Sequence, residues 1–189
     1  MNLPNRLTVL RICMVPLFVF FMLAEYVPHR FLWAFLLFST ASYTDHLDGK
    51  IARQQGLITN FGKLMDPLAD KILVMAALIC FVQLNFIGSA AVILIMFREF
   101  AVTSIRLIAV EQGNVIAANN WGKAKTISQM VAIIVTLLLQ TVLGFLSPPP
   151  ALLSVFTIIT QVLIWISVLL TMISGIIYAK DSAHLFKDM

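Results

Sequence analysis

The hydrophobic positions of this chain fall into six long runs, separated by short polar or turn-forming segments. Each run is close to the roughly 20 apolar residues that an α-helix needs to cross a bilayer, and none shows the alternation of a membrane β-strand. Turn signals such as Val27-Pro28-His29 and Gln112-Gly113-Asn114 mark the breaks. The pattern therefore predicts six transmembrane helices, at residues 7–24, 31–52, 64–84, 86–110, 121–146 and 151–178.

Composition supports a membrane protein. Hydrophobic residue types make up 60% of the 189 residues and charged types only 12%, whereas a soluble domain is about 45–50% apolar and about 25% charged. This excludes a soluble globular protein and a disordered chain. Because six spans leave only short loops, we expect residues 1–189 to form one all-α integral membrane domain without a second, soluble domain.

The basic residues predict the orientation of these spans. With six spans, 12 of the 13 Lys and Arg residues fall on the side that holds both termini, and only Arg30 falls on the other. The positive-inside rule then places both termini in the cytoplasm. The net charge of +4 is explained by this topology, so we expect no nucleic-acid partner. The least certain turn is the break at residues 84–86. If it were not a break, the orientation of every later span would be inverted.

Four carboxylates lie where the second span ends and the third begins. Asp45 and Asp48 are spaced i, i+3, and Asp66 and Asp70 are spaced i, i+4, so each pair lies on one face of its helix. The loop between the helices is short, which makes them antiparallel neighbours. Four carboxylates in a low-dielectric setting repel one another unless a cation neutralises them. All-oxygen ligation favours Mg²⁺ or Mn²⁺ over zinc, and such ions also bind phosphate oxygens.

Small residues lie between these carboxylates, at Gly49, Ala52 and Gly62, and Arg53 follows one turn after Gly49. Small side chains on the carboxylate face leave room for a ligand to approach the backbone, and Arg53 can pair with a phosphate. The alternative is that each small residue is a packing notch between helices, which is the commoner use of such residues in membranes. Taken singly, packing is the favoured interpretation for each.

Together these residues resemble the signature of the CDP-alcohol phosphotransferase family. The signature is matched at every fixed position and gap by Asp45-x2-Asp48-Gly49-x2-Ala52-Arg53-x8-Gly62-x3-Asp66-x3-Asp70. Other segments resemble the branch of the family that uses glycerol 3-phosphate as the acceptor, and they extend over nearly the whole chain. These segments are Asn5-x2-Thr8-x2-Arg11-Ile12, Thr59-Asn60-Phe61-Gly62-Lys63, Arg98-Glu99-Phe100-x-Val102-Thr103-x2-Arg106 and Gly122-Lys123-x-Lys125-Thr126.

The resemblance implies a six-helix enzyme of the plasma (inner) membrane, a homodimer whose active site faces the cytoplasm among membrane lipids. It would transfer the phosphatidyl group of CDP-diacylglycerol to sn-glycerol 3-phosphate, releasing CMP and forming phosphatidylglycerol phosphate. The resemblance also implies roles for the motif residues. Asp45, Asp48, Asp66 and Asp70 would bind the metal, Asp70 would also be the catalytic general base, and Gly49, Ala52, Arg53 and Gly62 would frame the CDP group.

Glycerol 3-phosphate is a dianion, so its site needs positive charge. Arg98 and Arg106 are eight residues apart on one face of the fourth span, and Lys123 and Lys125 begin the fifth. We expect these four to form the acceptor's phosphate pocket. The alternative is that they only set topology and extend to the membrane surface; this applies more to Lys123 and Lys125, while the arginines lie too deep for loop residues. We expect Glu99 to orient an arginine.

Three other functions fit parts of the sequence. A relative within the family would use another acceptor, as a cardiolipin, phosphatidylserine or phosphatidylinositol phosphate synthase does, and cardiolipin synthase is the strongest of these. A divalent-cation transporter would need carboxylates near mid-membrane and a polar path on the far side, and neither is present in the pattern. A prenyl-diphosphate enzyme has aspartate-rich motifs of different spacing. CMP release with each acceptor distinguishes these functions.

Overall fold

The computed structural model describes the backbone of residues 3–55, 60–111, 120–146 and 149–183, and the side chains of residues 7–44, 65, 68–69, 71–110, 120–146, 149 and 151–183. Within these segments it forms six α-helices and no β-strand. The helices are α1 (Leu3–Leu23), α2 (Arg30–Gln55), α3 (Asn60–Gln83), α4 (Ser89–Glu111), α5 (Asn120–Phe145) and α6 (Pro150–Asp181). The predicted all-α class is confirmed, and each apolar run corresponds to one helix.

The break between α3 and α4, the weakest in the sequence, is present. Asn85 takes a left-handed conformation with a φ of 60°. The N–H of Asn85 donates to the Val82 carbonyl at 3.0 Å, and the N–H of Phe86 donates to the Phe81 carbonyl at 2.9 Å. These two bonds form a Schellman motif, in which asparagine is one of the few residues that tolerate the left-handed position. Residues 86–88 complete the turn, so the prediction that α4 starts at Phe86 was wrong by three residues.

The helices run up and down, and contacts between them define two ends. At one end, Phe31 near the start of α2 contacts Phe86 just after α3, with ring centroids 5.9 Å apart. Toward the other end, Lys71, halfway along α3, bonds Thr103 in the second half of α4. We call the first the aromatic end. The second, where α3 and α5 begin and α2, α4 and α6 end, we call the charged end.

The core lies between these ends, where α1 packs against α2 and α3, and α5 packs against α2 and α6. α6 also packs along α4, and α2 contacts α3. Fully buried aromatic and branched side chains fill the centre, among them Phe18, Phe38, Phe81, Ile133 and Leu137. The packing holds the ends of α3, α4, α5 and α6 together at the charged end, where the functional residues lie.

The outer surface is strongly apolar. In α6, for example, Val162, Leu169 and Ile176 are each more than half exposed. Two helices in the described part of the chain are long and apolar enough to cross a membrane, Asn120–Phe145 and Ala151–Asp181, and Leu7–Leu23 and Lys71–Gln83 are shorter apolar helices. Exposed apolar surface of this extent is typical of a protein in contact with lipid.

Candidate active site

A cavity of about 510 Å³ opens at the charged end between α3, α4 and α5. The residues that line it are Lys71, Arg98, Glu99, Val102, Thr103, Arg106, Gly122, Lys123, Lys125, Thr126 and Ile127. All four cations expected to bind the acceptor phosphate are therefore brought together around one space. Lys71 adds a fifth, which the sequence analysis did not select. Among the side chains that the structure describes, five cations and one carboxylate, that of Glu99, line this cavity. Such a surplus of positive charge favours the binding of an anion.

Glu99 holds two of these cations at the base of the cavity. Its Oε1 accepts a hydrogen bond from Arg98 Nη1 at 3.2 Å and another from Lys125 Nζ. Arg98 is only 8% exposed and Lys125 only 6%. Both cations depend on their contact with this carboxylate, because a buried charge without its partner destabilises the fold. Glu99 thus orients an arginine, as expected, and a lysine as well.

The burial of Lys125 corrects one expectation. From the sequence, Lys123 and Lys125 are the cations most readily explained as surface charges that set topology. Lys123 is indeed exposed, although it lines the cavity, whereas Lys125 is turned inward onto Glu99. Both arginines lie within α4 as expected, but only Arg98 is buried, and Arg106 is exposed at the cavity. The two cations that contact Glu99 are thus the buried ones, whatever their distance from the end of their helix.

The last helix supplies a hydrogen-bond partner for each arginine. Arg98 Nη2 donates to Ser174 Oγ at 2.7 Å, and Arg106 Nε donates to the Tyr178 hydroxyl at 3.2 Å. The Arg106 guanidinium also lies over the Tyr178 ring, with its central carbon 5.3 Å from the ring centre, a distance typical of a cation–π contact. α6 therefore forms the wall behind the arginines although it does not line the cavity.

Lys71 joins α3 to α4 across the mouth of the cavity. Its Nζ donates to Thr103 Oγ1 at 2.5 Å, and the Thr103 hydroxyl donates in turn to the Glu99 carbonyl at 2.7 Å. Lys71 directly follows Asp70 in the chain. The α3 turn that carries the expected general base is therefore continuous with the wall of the cavity.

The aspartate motif occupies the helical positions that the sequence predicts. Asp45 and Asp48 lie in the second half of α2, and Asp66 and Asp70 lie in the first half of α3. The side chains of these residues are outside the described residues, as are those of the motif residues Gly49, Ala52, Arg53 and Gly62. The helical spacing of each pair is thus present, and the metal and CDP sites stay predictions.

The sequence analysis missed four residues that the structure connects to the cavity, namely Lys71, Ser174, Gly175 and Tyr178. Lys71 could have been selected, because it follows the last aspartate of the motif. On α6 the signal was a serine, a glycine and a tyrosine within five residues of a mostly apolar helix. Hydroxyl and small residues are common in membrane helices, so this signal is weak without the contacts.

Comparison with known proteins finds one family model and several relatives that match most of the chain. Residues 1–173 match the family model described as CDP-alcohol phosphatidyltransferase. A Bacillus subtilis protein named CDP-diacylglycerol–glycerol-3-phosphate 3-phosphatidyltransferase is 42% identical over 185 residues, covering 92% of this chain and 91% of the relative. Proteins of the same name are 34% identical in Rickettsia felis, over 98% of this chain and 97% of the relative, and in Treponema pallidum, over 77% and 72%.

Proposed function

This chain belongs to the CDP-alcohol phosphatidyltransferase family, and from that membership we propose that it makes phosphatidylglycerol phosphate in phospholipid biosynthesis. In the reaction, the phosphatidyl group of CDP-diacylglycerol moves to sn-glycerol 3-phosphate. The acceptor's hydroxyl oxygen forms a bond to the phosphorus that carries the diacylglycerol, the bond from that phosphorus to CMP breaks, and CMP leaves. Relatives that match most of the chain carry the name of this transferase.

The observation that carries this proposal is the cation-rich cavity beside the aspartate motif. A small phosphorylated acceptor is a dianion, and Arg98, Arg106, Lys123, Lys125 and Lys71 surround a space of about 510 Å³. That volume lies in the range of about 300–1,000 Å³ typical of small-molecule pockets. An acceptor that is itself a whole lipid would not need so much positive charge around one pocket.

The aspartates have the chemistry that a divalent cation requires. Four aspartates at the same end of two contacting helices would supply an all-oxygen donor set, which suits Mg²⁺ or Mn²⁺. Asp45, Asp48, Asp66 and Asp70 would hold the ion or ions. When bound, such an ion polarises phosphate oxygens and stabilises the charge that develops on a departing phosphate group.

The protein's own residues have separate tasks. Asp70 accepts the proton of the attacking glycerol hydroxyl, and it precedes Lys71, which lines the cavity. Arg53 pairs with a donor phosphate, and Gly49, Ala52 and Gly62 leave space for the cytidine group close to the backbone. Acceptor and donor then meet where the cavity adjoins the motif.

We also propose the membrane arrangement that the charges indicate. Residues 1–189 form one domain of six spans in the plasma membrane, both termini and the charged end face the cytoplasm, and the chain forms a homodimer. The support is that the five cavity cations all lie at the charged end, while Arg30 lies at the aromatic end. A cytoplasmic cavity would give water-soluble glycerol 3-phosphate access to a lipid donor.

CMP release from CDP-diacylglycerol tests the activity. Purified full-length protein is given Mg²⁺ or Mn²⁺ and one acceptor at a time, glycerol 3-phosphate, phosphatidylglycerol, serine or inositol phosphate. We expect release with glycerol 3-phosphate only, and none after a chelator is added. Release with phosphatidylglycerol alone would identify a cardiolipin synthase and contradict the proposal, and full activity in metal-free protein would contradict the metal site.

Accessibility of single cysteines tests the topology. In a variant without Cys13 and Cys80, Gln55→Cys should react with a membrane-impermeant thiol reagent only from the cytoplasmic side, and Pro149→Cys only from outside. Labelling of both positions from the same side would contradict the six-span arrangement.

A further inference from the structure

The two arginines of the cavity are farther apart along α4 than their hydrogen-bond partners are along α6. Arg98 and Arg106 are eight residues apart on α4, about 12 Å along the axis at about 1.5 Å per residue. Ser174 and Tyr178 are four residues apart on α6, about 6 Å. Each arginine donates to one of these two residues. Since α4 and α6 run in the same direction, the arginines are tied to points closer together than their own backbones.

The direction of the Tyr178 side chain brings the two bonding points on α6 still closer together. Side chains on a helix tilt toward its N-terminus, which for Tyr178 is the direction of Ser174. The Tyr178 hydroxyl binds Nε of Arg106 while its ring supports the guanidinium face. Tyr178 is itself only 3% exposed, so its ring is held by packing. The Arg106 guanidinium is therefore fixed at Nε, and among the described residues Tyr178 is its one hydrogen-bond partner.

Gly175 makes the path of Arg98 possible. A Cβ atom at this position would lie 2.8 Å from Cγ of Arg98, closer than real Cβ contacts allow. The Arg98 side chain thus crosses the α6 backbone where a side chain is missing, and its end reaches Ser174, which is fully buried. Gly144 differs, because a Cβ there would meet nothing within 4 Å. Of these two glycines, only Gly175 makes a close approach.

We propose that Ser174, Gly175 and Tyr178 are positioning residues that bring the guanidinium groups of Arg98 and Arg106 to one phosphate group, and that they thereby set the preference for a small phosphorylated acceptor. The identity of that acceptor rests on the proposed function. The shared chemistry is a phosphomonoester dianion, which two convergent guanidinium groups bind with charge-assisted hydrogen bonds. Two arginines held about 12 Å apart would bind it with only one group at a time.

Steady-state kinetics of Gly175→Ala and Tyr178→Phe test this role, with Gly144→Ala as the matched glycine control. In Gly175→Ala the added methyl displaces Arg98, and we expect KM for glycerol 3-phosphate to rise about tenfold or more, since misplacement by about 1 Å can cost up to 10²-fold. Tyr178→Phe keeps the ring and loses the hydroxyl, so we expect a rise of about three- to tenfold. KM for CDP-diacylglycerol and turnover at saturating acceptor should change less than about twofold in both, and Gly144→Ala should match wild type.

Other outcomes separate the positioning role from the identity of the acceptor. Equal losses for both substrates, or no difference between Gly175→Ala and Gly144→Ala, would overturn the positioning role. If Gly175→Ala does not fold, Tyr178→Phe and Ser174→Ala carry the same test, because each removes one hydroxyl only. If wild type releases no CMP with glycerol 3-phosphate, the proposed function fails. Calorimetric binding of inorganic phosphate then tests the positioning role alone, with weaker binding expected in Tyr178→Phe and unchanged binding overturning it.

Discussion

The two ends of the helix bundle use the same helices in opposite ways. At the aromatic end, Phe31, Phe81 and Phe86 close the bundle through ring contacts of 5.9 Å. The ion pair there, Glu25 with Arg30 at 4.0 Å, is at the surface, with the Glu25 side chain 85% exposed. At the charged end, the Glu99 side chain is only 13% exposed and binds Arg98 and Lys125.

The aromatic end is filled by packed rings, whereas the charged end buries ion pairs. Well-packed hydrophobic residues are often at least as stabilising as a buried ion pair, so buried charges are weak evidence for stability alone. The cavity at the charged end keeps buried cations around an open space, whereas aromatic rings pack together at the other end. We interpret the aromatic end as the part that holds the bundle together and the charged end as the part that binds substrates.

A Glu→Gln substitution at each end should give the largest difference in the free energy of unfolding. Glu99→Gln removes the carboxylate between two buried cations and should lower the free energy of unfolding by about 3 kcal/mol. Glu25→Gln breaks only a surface pair and should change it by less than about 0.5 kcal/mol. Thermal unfolding of both variants in the same detergent, followed by tryptophan fluorescence, measures the contrast. Equal shifts would mean that the buried pair is no more important to stability than the surface pair.

A substitution at the aromatic end should affect stability and leave substrate binding unchanged. Phe81→Leu keeps an apolar side chain but loses the ring contact with Phe86, and we expect a loss of about 1–1.5 kcal/mol. KM for both substrates should equal the wild-type values at a temperature where the variant is folded. A selective change in KM for glycerol 3-phosphate would show that the two ends are not separate in function.

The smallest expected effect is at the charged end, where Lys71→Met removes one cation from the cavity mouth. Because Lys71 already donates to Thr103, we expect KM for glycerol 3-phosphate to rise only about three- to tenfold. Lys180→Met is the matched control, since Lys180 is exposed at the same end and does not line the cavity. If both variants raised KM equally, the effect would be one of general surface charge.

The sequence predicted the helices better than the site. Long apolar runs define helices without any tertiary contact, so even the weak break at Asn85 was found, with an error of three residues at the start of α4. The burial of Lys125 could not be predicted, because its environment depends on Glu99, which is 26 positions away in sequence and on another helix. The roles of Ser174 and Tyr178 also depend on contacts between helices, which periodicity does not specify.

If the charged end separates acceptor binding from proton removal, Arg106→Ala and Asp70→Asn should have opposite kinetic effects. Arg106 is the better arginine for this test, because Arg98 also belongs to the buried Glu99 network. Losing its charge-assisted contact, worth about 1.5–3 kcal/mol, should raise KM for glycerol 3-phosphate about ten- to hundredfold. KM for CDP-diacylglycerol should barely change.

Asp70→Asn should do the reverse, because a general base acts in the transition state. Turnover should collapse while glycerol 3-phosphate still binds. The measurement is steady-state kinetics of both variants with each substrate varied in turn. If Arg106→Ala instead weakened CDP-diacylglycerol binding and left KM for glycerol 3-phosphate unchanged, the cavity would belong to the donor lipid, and the account of acceptor binding would be wrong.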